Sequence, residues 1–336
     1  MAESGLAIAH GGGLIAARAQ FPDAPEPWID LSTGINPLPY PFAALHPEAY
    51  HRLPEPEAVR RLEAAAARSY GVADPSMVVA APGTQILISM LPHLLRLDRV
   101  AVVGPTYAEH AAAWAAAGSA VSIVLDIGAI DTVPGVVLCN PNNPDGRRIR
   151  VTELLALTKR VGVLLVDEAF IDLEGPGLSL APILPTNAIA LRSFGKTYGL
   201  AGLRLGFAVA APAMAQTIRM ALGPWAVSGA AVAIGTAAFD DSDWLDATRT
   251  RLDTSVTRLD DALTAAGARV IGGTRLFRLA DAPDPGSMWH GLGQAGILAR
   301  RFEAQPSLLR FGIPDGNWER IEAALGRPDL QQARPL

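Results

Sequence analysis

The chain has 336 residues, of which 50% are hydrophobic and 18% are charged. This composition excludes a disordered polymer and provides enough apolar surface for one large domain and a smaller one. The formal net charge is −5 and no block of lysine and arginine occurs, so nucleic acid is not an expected partner.

Between about residues 76 and 210, short β-branched runs alternate with longer helical patterns. Helices are expected near Gln85–Arg96, Ala108–Ala117 and Thr152–Val161. Apolar strands that alternate with helices predict a mostly parallel sheet covered on both faces, with ligands beyond the carboxyl ends of the strands. The expected strands are Met77–Ala80, Val100–Val103, Val121–Leu125, Val136–Cys139, Val163–Val166, Ala188–Leu191 and Phe207–Ala210.

After about residue 236 the pattern becomes that of a smaller α+β module, whereas the first 30 residues are expected to be irregular. We therefore expect a large domain over residues 31–235 and a small domain formed by residues 1–30 and 236–336. The expected elements of the module are a long helix near Trp244–Ala266, a strand pair near Val270–Leu279, a helix near Ser287–Gln294, short runs at Ile297–Arg300 and Leu308–Ile313, and a last helix.

Two features bear on the compartment. The single cysteine, Cys139, lies in an apolar run, where it is expected to be a core residue, and it cannot form an intrachain disulfide. The N-terminus lacks a signal-peptide pattern, and the longest run of small apolar residues, Ala226–Ala238, is too short to span a bilayer. We expect a soluble cytoplasmic protein with no membrane partner.

Five short segments that follow predicted strands contain the candidates for chemistry. In the first, APGTQ at 81–85, Gly83 allows close backbone approach, and free amides at the helix start can bind an anion, although such a glycine is often only a turn. In the second, GPTY at 104–107, the ring of Tyr107 either lies flat on a planar cofactor or packs in the core.

The next two segments place polar side chains after apolar strands. NPNNPDG at 140–146 is either a surface turn or a loop in which Asn143 donates to a ring hydroxylate, and the double Asn-Pro pattern favours the loop. Asp167 ends the run LLVD, where a buried carboxylate is unfavourable unless it pairs with a cation such as a pyridinium N–H. Glu168 alternates to the other face, where a structural contact is expected.

The fifth segment, RSFGKTYGLAGLRLG at 192–206, contains Lys196, which lies 29 residues after Asp167 (196 − 167). Most isolated lysines are solvated, but a lysine desolvated in a Ser/Gly-rich turn after a strand can form a Schiff base. Ser193 and Arg204 flank it, and a hydroxyl and a guanidinium suit a phosphate dianion. No metal is expected.

In this order, the motifs GTQ, PTY, NPNNP, DEAF, SFGK and RLG resemble fold-type-I enzymes that depend on pyridoxal 5′-phosphate (PLP). The resemblance covers nearly the whole chain and is strongest to the branch of histidinol-phosphate aminotransferase and the threonine-phosphate decarboxylase of cobalamin biosynthesis. It implies an aspartate-aminotransferase-like α/β fold with a mostly parallel seven-stranded sheet in the large domain, a smaller α+β domain, and a homodimer.

The resemblance also implies the roles of the site residues. Lys196 would bind the PLP aldehyde, Asp167 the ring nitrogen, Tyr107 the ring face and Asn143 the O3′ atom. The catalytic residues implied are Lys196, Asp167 and Tyr107. The phosphate would be held by Gly83, Thr84, Ser193 and Arg204, with Gln85 also in the cofactor site.

Two positions depart from the family pattern. Phe170 stands where the family often has a tyrosine whose hydroxyl also bonds O3′, which leaves Asn143 alone there. Leu53 stands where relatives often have a tyrosine that reaches the phosphate of the neighbouring subunit. Dimerisation is still implied, but Leu53 cannot make that cross-subunit contact.

The candidate substrate anchors are His10, Gly11, Asn36, Arg300 and Arg310. Arg310 lies in an apolar strand, where an unpaired charge is unfavourable, and it resembles the family arginine that meets a substrate anion. Arg300 resembles the second arginine used with phosphorylated substrates. His10 opens an HGG motif that is otherwise typical of a flexible terminus. The neighbouring Arg301 is interpreted as solvated.

The HGG motif and the segment DLSTGINP at 30–37 resemble the decarboxylase group more than the aminotransferases. We therefore expect PLP-dependent decarboxylation of L-threonine O-3-phosphate to (R)-1-aminopropan-2-ol O-phosphate. Two alternatives stay open: a histidinol-phosphate-type aminotransferase, and a binding protein without catalysis on the same scaffold.

Overall fold

The structure is a computed structural model that describes residues 10–175 and 177–326. The chain divides into two compact units, Leu38–Thr250 (the large unit) and Met1–Pro37 with Arg251–Leu336 (the small unit). The domain bounds expected from the sequence, 31–235 and 1–30 with 236–336, stay a prediction. Every helix in the described ranges is too short or too polar to cross a membrane.

The helices expected from the sequence are present in the described residues, together with others that the pattern did not predict. In chain order the α-helices are α1 (Leu14–Gln20), α2 (Glu48–His51), α3 (Pro56–Tyr70), α4 (Thr84–Leu95), α5 (Ala108–Ala116), α6 (Val151–Thr158), α7 (Phe194–Thr197), α8 (Pro212–Leu222), α9 (Gly229–Phe239), α10 (Ser242–Ala265), α11 (Pro285–Gln294) and α12 (Trp318–Leu325).

The strands expected from the sequence are also present, each within a few residues of its predicted bounds. In chain order they are β1 (Ile29–Leu31), β2 (Val78–Ala81), β3 (Arg99–Val103), β4 (Ala120–Val124), β5 (Val133–Cys139), β6 (Val161–Asp167), β7 (Ala188–Arg192), β8 (Gly206–Ala210), β9 (Arg269–Thr274), β10 (Phe277–Asp281), β11 (Ile297–Arg301) and β12 (Leu308–Gly312).

The large unit contains a seven-stranded sheet in the order β2-β8-β7-β6-β5-β3-β4. Strand β8 pairs antiparallel with both of its neighbours, and the other pairs are parallel. The prediction of a mostly parallel seven-stranded sheet is therefore confirmed. Because β2, β3, β5, β6 and β7 run in the same direction, the five motifs that follow them meet at one edge of the sheet.

Helices cover both faces of this sheet, as the apolar strands require. Successive residues of β8 show it, since Phe207 and Val209 belong to one buried cluster and Ala208 and Ala210 to another. Side chains alternate between the two faces of a strand, so a strand that is apolar throughout must be covered on both sides. This double burial makes the sheet edge a rigid support for the loops that follow.

The small unit contains a five-stranded sheet in the order β1-β11-β12-β10-β9. Strand β1 pairs parallel with β11, and the other pairs are antiparallel. The expectation that the first 30 residues are irregular is wrong, because α1 and β1 lie there. Ala17, Phe21 and Trp28 form a buried cluster against Trp289, which gives this short segment an apolar partner despite its glycines and prolines.

Candidate active site

Asp167 ends β6 in the large unit and is 5% exposed. Its Oδ2 lies 2.9 Å from Nε2 of His110 on α5, and its Oδ1 accepts from the backbone N–H of Ala169 at 3.0 Å. Burial disfavours the carboxylate, but His110 and the charge of Lys196 outweigh it and lower the pKa of Asp167. A buried anion therefore lies where the sequence predicts the partner of a pyridinium.

His110 is a site residue that sequence reasoning missed. Its side chain is fully buried, which opposes the charged form, but Cys139 and Asp167 outweigh burial and raise its pKa to about 10. At neutral pH the protonated ring donates to Asp167. Tyr107 stands three positions earlier (110 − 107), and its ring lies edge-on to that of His110 at 6.0 Å. This i, i+3 spacing is the signal in the sequence that would have indicated His110.

Cys139 lies beside this pair and is buried, as the sequence predicts. The ligating atoms of His110, Cys139 and Asp167 all lie within 4.8 Å of one another. Because the histidine and the aspartate hold each other through a hydrogen bond, we assign the three side chains to one group that supports the carboxylate.

The turn between β2 and α4 forms a cradle for an anion. Gly83 has a φ of 84°, and a Cβ atom there would lie 2.6 Å from Nη2 of Arg204. A Cβ atom on Gly206 would lie 2.8 Å from the backbone N of Thr84, the first residue of α4. The two glycines let a guanidinium approach the N-terminus of a twelve-residue helix, and both groups attract a phosphate.

Tyr107 follows β3 and is half-buried. Its hydroxyl donates to Oε1 of Gln85 at 3.1 Å, and Nε2 of Gln85 donates to Glu109 at 3.4 Å. Burial, with a contribution from Glu109, raises the pKa of Tyr107 to about 12, so the hydroxyl stays protonated at neutral pH. Gln85 thus orients the ring predicted to stack on the cofactor.

Asn143 follows β5, and its loop is tied to the loop of Tyr107. The neighbouring Asn142 accepts from Oγ1 of Thr106 at 2.7 Å and donates to the carbonyl of Pro105 at 2.9 Å. Asn142 is buried and Asn143 is half-buried. These bonds fix two motif loops next to each other at the sheet edge.

Lys196 lies in α7, directly after β7, and Ser193 before it is buried. The Nζ atom lies 5.2 Å from the centre of the Phe170 ring. A Cβ atom on Gly195 would lie 2.8 Å from Cα of Ala201, so the turn packs closely on the chain that follows it. Since the charge of Lys196 also lowers the pKa of Asp167, the structure brings the predicted lysine and carboxylate together.

The small unit brings two of the predicted anchors into a like-charge pair. Arg310 on β12 is 7% exposed and lies opposite Arg300 on β11. Its Nη2 donates to the carbonyl of Ser32 at 3.0 Å. Burial and the charge of Arg300 lower the pKa of Arg310 to about 10, although Asp30 opposes them. Two arginines that disfavour each other's charge are stabilised by a bound anion.

A cavity of about 570 Å³ in the small unit is lined by His10, Gly11, Ser32 and Arg300, among others. The backbone N–H of Gly12 donates to Oγ of Ser32 at 2.7 Å, which holds the HGG motif in place. Three predicted anchors therefore share one cavity, and Arg310 is joined to it through Ser32. The fifth anchor, Asn36, is buried and is not among the residues that line this cavity.

The large-unit residues fit PLP. A Cβ atom at Gly83 would fill the space beside Arg204, so the absence of a side chain there leaves room for a phosphate. Asp167 provides a buried anion for a pyridinium, and Lys196 provides an amine whose charge acts on that carboxylate. A phosphate, a ring nitrogen and an aldehyde are the three groups that such a set would recognise.

The fold and this site define an aminotransferase-like α/β protein. Residues 26–327 match the family model of aminotransferase class I and II. The chain belongs to this family.

Individual relatives are similar over almost the full length. The chain is 44% identical to a threonine-phosphate decarboxylase of a Sinorhizobium species, over 96% of this chain and 99% of that protein. It is 39% identical to a threonine-phosphate decarboxylase of Pseudomonas aeruginosa, over 95% and 97%. A solved histidinol-phosphate aminotransferase from Sinorhizobium meliloti, in complex with pyridoxal-5′-phosphate, shares the fold with a TM-score of 0.80 at 22% identity, over 97% of both chains.

These findings confirm the predicted family resemblance and fold class. They also support pyridoxal phosphate as the cofactor, as the sequence predicts. The roles of individual residues stay predictions.

Proposed function

We propose that this chain is a PLP-dependent carboxy-lyase that decarboxylates L-threonine O-3-phosphate to (R)-1-aminopropan-2-ol O-phosphate. The observation that carries the proposal is the pair of Arg300 and Arg310, because two guanidinium groups that lie opposite each other suit a substrate with two anionic groups. Two relatives at 44% and 39% identity, both threonine-phosphate decarboxylases, support the same substrate.

We assign the cofactor chemistry to residues of the large unit. When bound, PLP supplies an electron sink that stabilises negative charge at the substrate Cα. Lys196 would hold the aldehyde group until the substrate amine displaces it, and its released amine would then return a proton to Cα once CO2 has left. Asp167, fixed by His110, keeps a proton on the ring nitrogen. Tyr107 and Asn143 orient the ring, and Gly83, Thr84, Ser193 and Arg204 bind the phosphate.

We assign substrate recognition to the small unit. A decarboxylase must hold the Cα–carboxylate bond perpendicular to the cofactor ring, which requires a rigid anchor on the carboxylate. Arg310 is buried and fixed by Ser32, so we assign the carboxylate to it. Arg300 and His10 line the open cavity, so we assign the phosphate to them.

The purified protein tests the reaction. PLP-loaded protein is mixed with L-threonine phosphate, and CO2 is measured with and without 2-oxoglutarate. We expect CO2 release that needs no oxo-acid acceptor. Consumption of substrate that requires the acceptor and releases no CO2 would instead identify an aminotransferase, an activity that also occurs in the family. PLP binding without turnover of either kind would identify a binding protein.

We further propose a cytoplasmic homodimer that acts in cobalamin biosynthesis. Exposed Tyr50, Leu53 and Trp225 support the dimer, because exposed apolar side chains mark contact surfaces. Leu53 and Trp225 line neighbouring grooves of about 510 and 790 Å³ that share Pro54. Sedimentation velocity tests the assembly: we expect a dimer that Leu53→Asp weakens, and a monomeric wild-type protein would contradict it.

A further inference from the structure

One carboxylate holds both ends of the segment that carries Lys196. Oδ1 of Asp172 accepts from Nη2 of Arg192, the last residue of β7, and Oδ2 accepts from Oγ1 of Thr197 at 3.0 Å. Arg192 and Thr197 are both buried. Residues 193–196 therefore lie between two residues, Arg192 and Thr197, whose distance from each other is fixed while Asp172 binds both.

Asp172 is itself held close to the cofactor-binding strand. It lies five residues after Asp167 (172 − 167), in the turn that follows β6. Its backbone carbonyl accepts from Nη2 of Arg249 at 2.6 Å. The same turn thus connects the carboxylate expected to meet the ring nitrogen with the carboxylate that binds the lysine segment.

The arginine at the start of the segment belongs to a buried ion group. Nη1 of Arg192 donates to Oε2 of Glu168 at 3.1 Å and to Oγ of Ser179 at 3.0 Å. Its Cζ lies 4.1 Å from the centre of the Tyr70 ring. Burial disfavours the charge on Arg192, but Asp172 and Glu168 outweigh it and raise its pKa. Removal of one partner from such a group leaves an uncompensated buried charge.

We propose that Asp172 is a positioning residue that sets where the amine of Lys196 lies relative to Asp167. The proposal rests on the proposed role of Lys196 as the PLP lysine. Because the two Asp172 oxygens bind opposite ends of the segment, loss of either bond removes a contact that positions that end. A misplacement of about 1 Å at a reacting group costs on the order of 100-fold in rate.

Reduction with borohydride reports the position of the amine without any need for turnover. Wild type, Thr197→Val, Thr197→Ser and Asp172→Asn are mixed with increasing PLP and reduced, and mass spectrometry measures the fraction labelled at Lys196. We expect Thr197→Val to need about tenfold more PLP for half-labelling, as the loss of a hydrogen bond to a charged group predicts. Thr197→Ser retains the hydroxyl and is expected to match wild type.

Asp172→Asn loses one of the two carboxylate charges that pair with Arg192 and is expected to show a shift at least as large as that of Thr197→Val. In L-threonine phosphate turnover, kcat is expected to fall while KM stays near wild type, because Arg300 and Arg310 are unchanged. A role confined to folding would lower Tm in these variants without changing the kcat or the PLP concentration for half-labelling.

Glu174→Gln is the matched control. Glu174 is a buried acid two residues beyond Asp172, and its Oε2 accepts from Nη2 of Arg148 at 2.5 Å. This variant is expected to have a lower Tm than wild type but to reach half-labelling of Lys196 at the same PLP concentration. Labelling of Thr197→Val and Asp172→Asn at the wild-type PLP concentration would overturn the proposal. Absence of label on Lys196 in the wild type would overturn the proposed role of Lys196 as the PLP lysine, and the role of Asp172 with it.

Discussion

The two units of this chain treat buried charge in opposite ways. In the large unit, Asp167 pairs with His110, and Arg192 pairs with Glu168 and Asp172. In the small unit, Arg300 and Arg310 lie opposite each other, and the pKa of Arg310 is lowered. The large unit places carboxylates against its buried cations, whereas the small unit places two like charges opposite each other, which a bound anion would stabilise. We infer that the large unit is organised for a cofactor that stays, and the small unit for a substrate that leaves.

The largest effect is expected from the internal pair of the large unit. Asp167→Asn keeps the shape of the side chain but removes the anion that holds a proton on the ring nitrogen. We expect kcat to fall by about 10²- to 10⁴-fold, the range of effects seen for positioned proton-transfer groups. Steady-state kinetics check this, with Asp240→Asn, an exposed acid paired with Arg68, as the control. A kcat within about threefold of wild type would contradict the role of Asp167 in the large unit as the anion that holds a proton on the ring nitrogen.

The next effect separates binding from stability in the small unit. Arg310→Met removes a buried charge and keeps most of the volume, so we expect kcat/KM for L-threonine phosphate to fall by about 30-fold or more. Tm of the ligand-free protein should hold or rise, because burial already disfavours this charge. Arg269→Met is the control, since that exposed guanidinium of the small unit pairs with Asp281 and does not line the cavity. A large loss of Tm with unchanged KM would show a structural role for Arg310.

A pH series sharpens the account of the buried pair. The pKa of His110 rises from 6.5 to about 10 on folding, so its stabilising contribution is complete below pH 6.5 and is lost as the pH rises towards 10. We expect the difference in unfolding free energy between wild type and His110→Gln to shrink over this window. Denaturant unfolding of the cofactor-free protein at several pH values measures it. A difference that is constant from pH 6 to 10 would contradict a protonated His110.

The smallest effect is expected at Tyr107. Its hydroxyl donates to Gln85 and stays protonated at neutral pH, so we assign its contribution to the ring. Tyr107→Phe should therefore change kcat by no more than about fivefold, the scale of one neutral hydrogen bond. Tyr107→Leu, which removes the aromatic face, should be clearly worse. Equal losses in the two variants would assign the role to the hydroxyl.

The sequence predicted those parts of the site that follow strands directly. Asp167, Lys196 and Gly83 each come at or just after an apolar run, and a parallel sheet must bring such positions to one edge. Arg310 was predicted for a similar reason, because an arginine within an apolar strand needs an anion.

The parts that were missed depend on contacts between distant segments. His110 stands in an alanine-rich helix, and apart from its i, i+3 spacing from Tyr107 nothing local to it indicates that α5 places it against the end of β6. Asp172 lies in a turn where acids are common, and its two partners are 20 and 25 residues away. Helix α1 was missed because seven residues among glycines and prolines carry little periodicity.

The central claim is that Lys196 is the residue that binds PLP, and the chain supplies its own control. It contains only two lysines, Lys159 and Lys196, and Lys159 is exposed at the end of α6. The most direct measurement is peptide mapping of PLP-loaded protein after borohydride reduction. We predict one pyridoxyl group per chain, on the peptide that contains Lys196. Label confined to Lys159, or no stable label at saturating PLP, would contradict the account.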